Sequence, residues 1–261
     1  MHPDWIVPDW PAPAGVRALC TTRAGGVSGG PWASLNLGDH VGDAPAAVQA
    51  NRARLADATA AQPVFLQQVH GTGVVSLDDP ALPQGTPADA CVATVPGRAC
   101  TIMVADCLPV LLTDCTGRAV GAAHAGWRGL AGGVLEALCE RFRVQSLILT
   151  GLTAIELVAW LGPCIGPDAF EVGDEVRVAF LAQDAGASAC FRPAAAPGKW
   201  WADLPGLARR RLLAAGVSSV HGNDGSAAWC TVANPSRFFS HRRDAGVLGS
   251  SGRMAASIWR V

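Results

Sequence analysis

The sequence predicts an α+β protein built on a mixed sheet, and three observations carry that reading. Short apolar runs come in clusters, as at residues 101–105, 110–113 and 119–123. Helix-forming stretches fall between the clusters rather than after every strand, which disfavours a doubly wound β-α-β alternation. Gly and Pro, 30 and 18 of 261 residues, punctuate the chain throughout, with no low-complexity linker and no internal repeat. One domain over residues 1–261 is therefore expected, long enough to bury a substantial core.

Taken in order, residues 46–60 are helix formers with Val48 and Leu55 among polar neighbours, and 64–69 reads as a strand ending at His70-Gly71. Residues 73–77 form another strand that pairs nearby. The runs 101–105 and 110–113 flank Asp106-Cys107, and 119–123 delivers His124 into a Gly126-Trp127-Arg128-Gly129 turn. Residues 130–142 have the pattern of an amphipathic helix opened by Gly129, although Gly132 and Gly133 weaken its first turn by about 1 kcal/mol each relative to alanine. Residues 147–150 and 155–160 read as strands, the second ending in Gly162-Pro163-Cys164. The alanine-rich patch 185–198 is expected to be a mobile surface loop. Residues 204–215 form a helix with Pro205 near its start and Gly216 as its stop, and the alternating tail 253–260 is a closing strand.

Composition narrows the function. Half the residues are hydrophobic, 16% are charged and the formal net charge is -1, so disorder and a nucleic-acid partner are both disfavoured. No apolar run of about 18 residues and no signal-peptide pattern is present, and a soluble, cytoplasmic protein with no membrane partner is expected. Nine cysteines without a C-x-x-C pair argue against a disulfide framework or a zinc ribbon. Most of them, Cys20, Cys91, Cys100, Cys139 and Cys190 included, lie among small apolar residues and read as buried hydrophobes.

His70, Cys107 and His124 are the chemistry-bearing exceptions, because each follows a predicted strand. If they converge they make a three-ligand zinc site with an open fourth position, and such a site is catalytic in type. Cys107 and His124 can equally form a thiolate–imidazolium nucleophile pair; the spacing does not choose between the two. Gly26-Val27-Ser28-Gly29-Gly30 matches a nucleophile elbow, but it lacks the preceding strand and is followed by Pro31. H-E-x-x-H, Walker and G-x-G-x-x-G motifs are absent, which counts against a metalloprotease, a P-loop ATPase and a Rossmann dehydrogenase. Arg23, Arg128, Arg242 and Arg243 sit in turn-like surroundings where a guanidinium can hold phosphate bidentately.

At these residues the chain resembles the multicopper polyphenol oxidoreductase (laccase-like) family, also grouped as purine nucleoside phosphorylases and including peptidoglycan editing factors. The blocks are Thr21-Thr22-Arg23, Ser34-Leu35-Asn36-Leu37-Gly38, Gln68-Val69-His70-Gly71, Ala88-Asp89-Ala90, Ala105-Asp106-Cys107-Leu108-Pro109, Ala123-His124-Ala125-Gly126-Trp127-Arg128-Gly129, Gly162-Pro163-Cys164-Ile165-Gly166 and Phe238-Phe239-Ser240 before Arg242-Arg243-Asp244. They span nearly the whole chain.

The resemblance implies zinc on His70, Cys107 and His124, and a layered α/β/β/α fold related to cysteine-hydrolase-like toxins. It also implies phosphorolysis of adenosine, inosine and methylthioadenosine with adenosine deamination, so that the partners are a small nucleoside and phosphate. Under it, Arg23, Asn36, Arg128 and Arg242 are assigned to substrate, with Cys107, His124 and Asp106 catalytic and Asp89 the alternative acid to Asp106. Two rivals come with the family: a Cys107–His124 amidase removing misincorporated L-serine from a peptidoglycan precursor, and copper-dependent phenol oxidation. The last ranks lowest, because six histidines without an H-x-H pair poorly furnish several coppers. A non-catalytic zinc-binding module is the remaining alternative. Relatives commonly carry tyrosine where this chain has His241, and residues 203–206 lack the usual asparagine-rich helix start.

Overall fold

A computed structural model describes residues 1–151 and 155–261. The first half runs β1 (Val16–Cys20), α1 (Pro45–Thr59), β2 (Gln62–Phe65), β3 (Val74–Ser76), β4 (Ala90–Ala93), β5 (Arg98–Val104), β6 (Leu108–Asp114) and β7 (Val120–Ala125). It continues through α2 (Trp127–Gly132), α3 (Val134–Thr150), β8 (Leu157–Leu161), β9 (Glu171–Gly173), α4 (Asp174–Leu181), β10 (Phe191–Pro193) and β11 (Lys199–Ala202). The last elements are α5 (Leu204–Ala214), β12 (Ser219–Gly222), α6 (His241–Leu248) and β13 (Met254–Arg260).

Two mixed sheets dominate. One has the order β1-β13-β5-β2, the other β12-β8-β6-β7-β4-β3, and a small sheet β10-β11-β9 lies apart from both. Strand periodicity explains how the two large sheets stack, because alternate residues of one strand point to opposite faces. In β5, Cys100, Ile102 and Val104 pack with Leu111, Val120 and Ala122 of the second sheet, while Ala99 and Met103 face Leu55 of α1. In β6, Leu111 faces the first sheet, while Val110 and Leu112 pack against Leu135, Leu138 and Phe142 of α3. The layers are therefore α1, first sheet, second sheet, then α3 with α5, an α/β/β/α arrangement within an α+β fold. Burial on both faces is why β6 is apolar almost throughout instead of alternating. Gly121 admits Phe142 to the surface of β7, since a Cβ there would lie 2.6 Å from the ring.

Most expected elements are present. The helix at 46–60 is α1, the strand at 73–77 contains β3, and the tail is β13, which pairs antiparallel with both β1 and β5. Three expectations are corrected. Residues 147–150 continue α3 rather than forming a strand; the helix is closed by Gly151 at φ 70, whose N–H donates to the Leu147 carbonyl. Leu147 and Ile148 are apolar but exposed, so the run carried no core signal. The single helix at 130–142 is two, α2 and α3, divided by Gly133 at φ 102, a left-handed conformation that glycine adopts at little cost. Only 194–198 of the patch 185–198 is surface loop; 185–190 is a 3-10 turn followed by β10, pinned by the Arg210 guanidinium on Asp184, whose carboxylate also caps the turn through the Gly186 N–H.

Candidate active site

Sheet register brings the site together. Ala90 of β4 pairs with Ala123 of β7, which sets Asp89 against His124: the His124 N–H donates to the Asp89 carbonyl at 2.7 Å, and Nδ1 lies 2.8 Å from Asp89 Oδ1. The same carboxylate accepts the backbone N–H groups of Val69, His70 and Gly71 at 3.2, 2.9 and 2.7 Å. That cradle holds His70 at φ 60, in the left-handed region rarely used by residues with a Cβ. Cys107 occupies the tight turn between β5 and β6, where Asp106 sits at φ 88. The Asp106 carboxylate fixes the turn by accepting from Thr231 Oγ1 and from the Arg242 N–H, both at 2.6 Å. Because Leu108 pairs with Ala125, the Cys107 side chain arrives beside Gly126.

His70 Nε2 lies 3.8 Å from Cys107 Sγ, and the two imidazole rings meet edge to face with centroids 4.7 Å apart. One ligand atom from each of His70, Cys107 and His124 lies within 4.8 Å of the others, and this is the one such group among the described residues. Gly126 makes the approach possible, for a Cβ there would stand 2.8 Å from His70 Cδ2 and 3.0 Å from the Cys107 sulfur. Zinc–ligand bond lengths give a tetrahedral S···N edge of about 3.6 Å, so the donor set and its spacing fit a divalent metal. With Nδ1–H directed at Asp89, neutral His124 presents Nε2 to the cluster, the carboxylate–histidine arrangement that orients metal ligands.

The electrostatics agree. Burial pushes the Cys107 thiol up, but the charge and hydrogen bonds of His124, joined by those of His70, outweigh it and bring the group down to about 6. Burial lowers His124, while the Cys107 thiolate and the hydrogen bond to Asp89 carry it up to about 9. Asp89 is buried, yet the hydrogen bonds from His124, Gly71 and His70 hold its carboxyl below the usual carboxylate range. Without metal, then, the trio at neutral pH is thiolate, imidazolium and carboxylate. Elsewhere burial pushes Cys20 up to about 12 and Cys139 and Cys190 up to about 11, which leaves them inert thiols.

The cluster forms part of the wall of a cavity of about 820 Å³, whose lining includes Asp39, His40, Arg52, His241 and Arg253. Of the residues expected to meet substrate, only Arg242 reaches the cleft, in a smaller adjoining cavity lined also by Asp106 and Cys107. Arg23 instead donates to the carbonyls of Ala33 and Pro235 and lies over the Phe239 ring. Asn36 is fully buried and holds backbone groups of Gly38 and Arg253 together with the Asp43 carboxylate. Arg128 is exposed and stacks on Trp127. Arg243 is turned away, binding Asp244 and the carbonyls of Thr231 and Phe238. Ser28 of the elbow-like motif is buried on Asp43.

Sequence reasoning missed Arg52 and Arg253. Arg253 donates Nη1 to the carbonyls of Ser251 and Gly252, and its guanidinium lies near enough to Cys107 and Asp106 to feel their charges. Arg52 lies over the Phe65 ring, donates Nε to the Leu37 carbonyl and pairs with Asp39. Neither adjoins a motif; the only signal for Arg253 is its place at the head of the closing strand.

A stacked-sheet α+β scaffold whose strand ends converge on a His–Cys–His group able to hold a metal ion, beside a cavity carrying Arg52 and Arg253, defines a site of enzymatic type. The chain belongs to the family described as multi-copper polyphenol oxidoreductase laccase, whose model matches residues 17–261. A Pseudomonas aeruginosa protein named purine nucleoside phosphorylase is 52% identical over 255 residues, with 98% of each chain covered. The Escherichia coli purine nucleoside phosphorylase YfiH is 47% identical over 258 residues, again with 98% of each chain covered. Among solved structures, a Neisseria meningitidis protein superposes with a TM-score of 0.87 at 46% identity, covering 98% of this chain and 99% of that one. YlmD from Geobacillus stearothermophilus superposes at 0.82 and 33% identity, covering 97% and 94%. No described helix is long and apolar enough to cross a membrane.

Proposed function

We propose that this protein is a zinc-dependent purine nucleoside phosphorylase, acting on adenosine, inosine and methylthioadenosine, with adenosine deaminase activity. The observation that carries the reading is the placement of the His70–Cys107–His124 group in the wall of a cavity of small-molecule size that also presents Arg52 and Arg253. The names of the relatives support the substrate class. Zinc bound there supplies Lewis acidity and an activated water. Three donors hold a single ion, so the several coppers of a phenol oxidase have no comparable set among the described residues.

In this reading His70, Cys107 and His124 bind the ion and Asp89 keeps His124 in the correct tautomer. Arg253 and Arg52 hold phosphate, in place of the expected Arg23 and Arg128. Asp106 shapes the Cys107 turn: each of its oxygens already accepts a hydrogen bond, and Asp89 accepts four, so neither is placed to hand a proton to the departing purine. His241, which lines both cavities, takes that role.

A second reading rests on the Cys107–His124–Asp89 geometry. It forms a nucleophile triad in which the thiolate attacks an amide carbonyl and His124 passes its proton to the leaving amine, as removal of L-serine from a peptidoglycan precursor requires. The deciding experiment incubates metal-quantified protein with adenosine, with and without phosphate and with and without chelator, and separates adenine, inosine and hypoxanthine. Phosphate-dependent adenine, or chelator-sensitive inosine, upholds the nucleoside reading. Neither product from zinc-loaded protein, together with serine release that survives chelation and stops on thiol alkylation, replaces it with the amidase.

A further inference from the structure

The cleft around Cys107 has two lobes of opposite character. The larger carries Arg52 and Arg253; the smaller, about 220 Å³, is lined by Trp127, Ile165, Phe170 and Leu204 with Asp106 and Arg242 at its polar edge. Cys107 and His241 line both, so the cluster and the imidazole stand at the junction. Ile165, Phe170 and Leu204 are 2%, 7% and 1% exposed, which makes the floor of the smaller lobe part of the rigid core rather than a surface groove. Its wall continues through Trp127, the residue after the Gly126 that lets His70 and Cys107 meet.

Complete small-molecule sites run from about 300 to 1,000 Å³, so the smaller lobe is sized for a fragment. Two aromatic side chains line it, and Arg242 stands 5.8 Å over the Phe170 ring. That chemistry stacks on a flat, electron-rich heterocycle and donates hydrogen bonds to ring nitrogens or exocyclic oxygens. It suits phosphate poorly, whereas the lobe of Arg52 and Arg253 suits it well.

We propose that the smaller lobe is the nucleobase subsite: the purine ring enters between Trp127, Phe170 and Leu204, the bond to be cleaved lies at the Cys107 junction, and ribose and phosphate occupy the larger lobe. This assignment rests on the nucleoside reading above and adds its polarity. Trp127, Phe170 and Arg242 are then substrate-binding residues, and Leu204 limits the size of groups carried on the ring.

The test is calorimetric titration of the zinc-loaded chain with adenine alone and with inorganic phosphate alone. Loss of one stacking face weakens base binding by about tenfold or more, so Trp127→Ala is expected to do this to adenine and leave phosphate unchanged. Trp127→Phe is expected to restore adenine binding, and Arg253→Ala to weaken phosphate but spare adenine. Phe170→Leu, which keeps apolar bulk while removing a ring, carries the same comparison if Trp127→Ala does not fold. Adenine binding that depends on Trp127 or Phe170 in a protein that turns over no nucleoside upholds the subsite and sinks phosphorolysis. Adenine binding indifferent to both residues, or no adenine binding by the wild type, overturns the assignment.

Discussion

Asp89 makes two features of the site from one side chain: it bends residues 69–71 so that the His70 ring meets Cys107 and His124, and it fixes which nitrogen of His124 is available. Removing such an orienting carboxylate typically costs 10- to 100-fold in metal affinity, so Asp89→Asn is expected to lose about that much, measured by competition with a chromophoric chelator. His70→Ala is expected to abolish stoichiometric metal; retention of full metal by that variant would leave the amidase as the better reading. The pH dependence follows from the paired shifts. Below about 6 both Cys107 and His124 must lose a proton to bind metal, and between about 6 and about 9 only His124 must. Apparent metal affinity therefore climbs with pH, steeply at first and then with the slope of one proton, levelling near 9. A profile flat from pH 5 to 8 would contradict that ionisation scheme. His70, Cys107 and His124 were legible in the sequence because each ends or follows an apolar run, and a polar donor at such a place is conspicuous. Arg52 was not, since in the polar stretch Asn51-Arg52-Ala53-Arg54 its pattern is that of any solvated helix face.

At the scale of elements, two glycines show how backbone accommodates function and packing separately. Gly126 has ordinary extended angles, φ -66 and ψ 156, so alanine costs nothing in backbone conformation; the conflict is with His70 and the Cys107 sulfur. Gly126→Ala is thus expected to fold with nearly the wild-type Tm yet bind substoichiometric metal, checked by thermal melts alongside metal analysis. Gly121→Ala reverses the pattern. A methyl there meets the Phe142 ring at 2.6 Å and the Cys91 carbonyl at 3.0 Å, an overpacking expected to cost about 1–3 kcal/mol in urea denaturation while leaving metal content intact. Strands with apolar runs were legible. The small sheet β10-β11-β9 and strand β4 were not, because three- or four-residue strands acquire their identity from a partner and carry too few residues to show a period. Residues 147–150 misled for the converse reason: four β-compatible residues at the end of a long helix are recruited by the helix already formed.

For the molecule as a whole, the two lobes belong to different layers. Arg253 and Met103 enter the large lobe from the ends of β13 and β5 in the first sheet, while Leu204 and Phe170 floor the small lobe from the side of the second. The site is therefore a property of the stacking, which is why its ligand cluster could be read from local pattern and its cavities could not. A chain truncated before Met254 is expected to lose both fold and site, detectable as loss of cooperative unfolding, because β13 lies inside the first sheet and both of its edges are paired.

That position of β13 also governs how the protein is made. On the ribosome, β1 and β5 emerge long before the strand that joins them, so each waits with an open hydrogen-bonding edge until residues 254–260 appear. The nascent chain is exposed to edge-to-edge pairing throughout that interval, and the final strand closes the sheet and delivers Arg253 in one event.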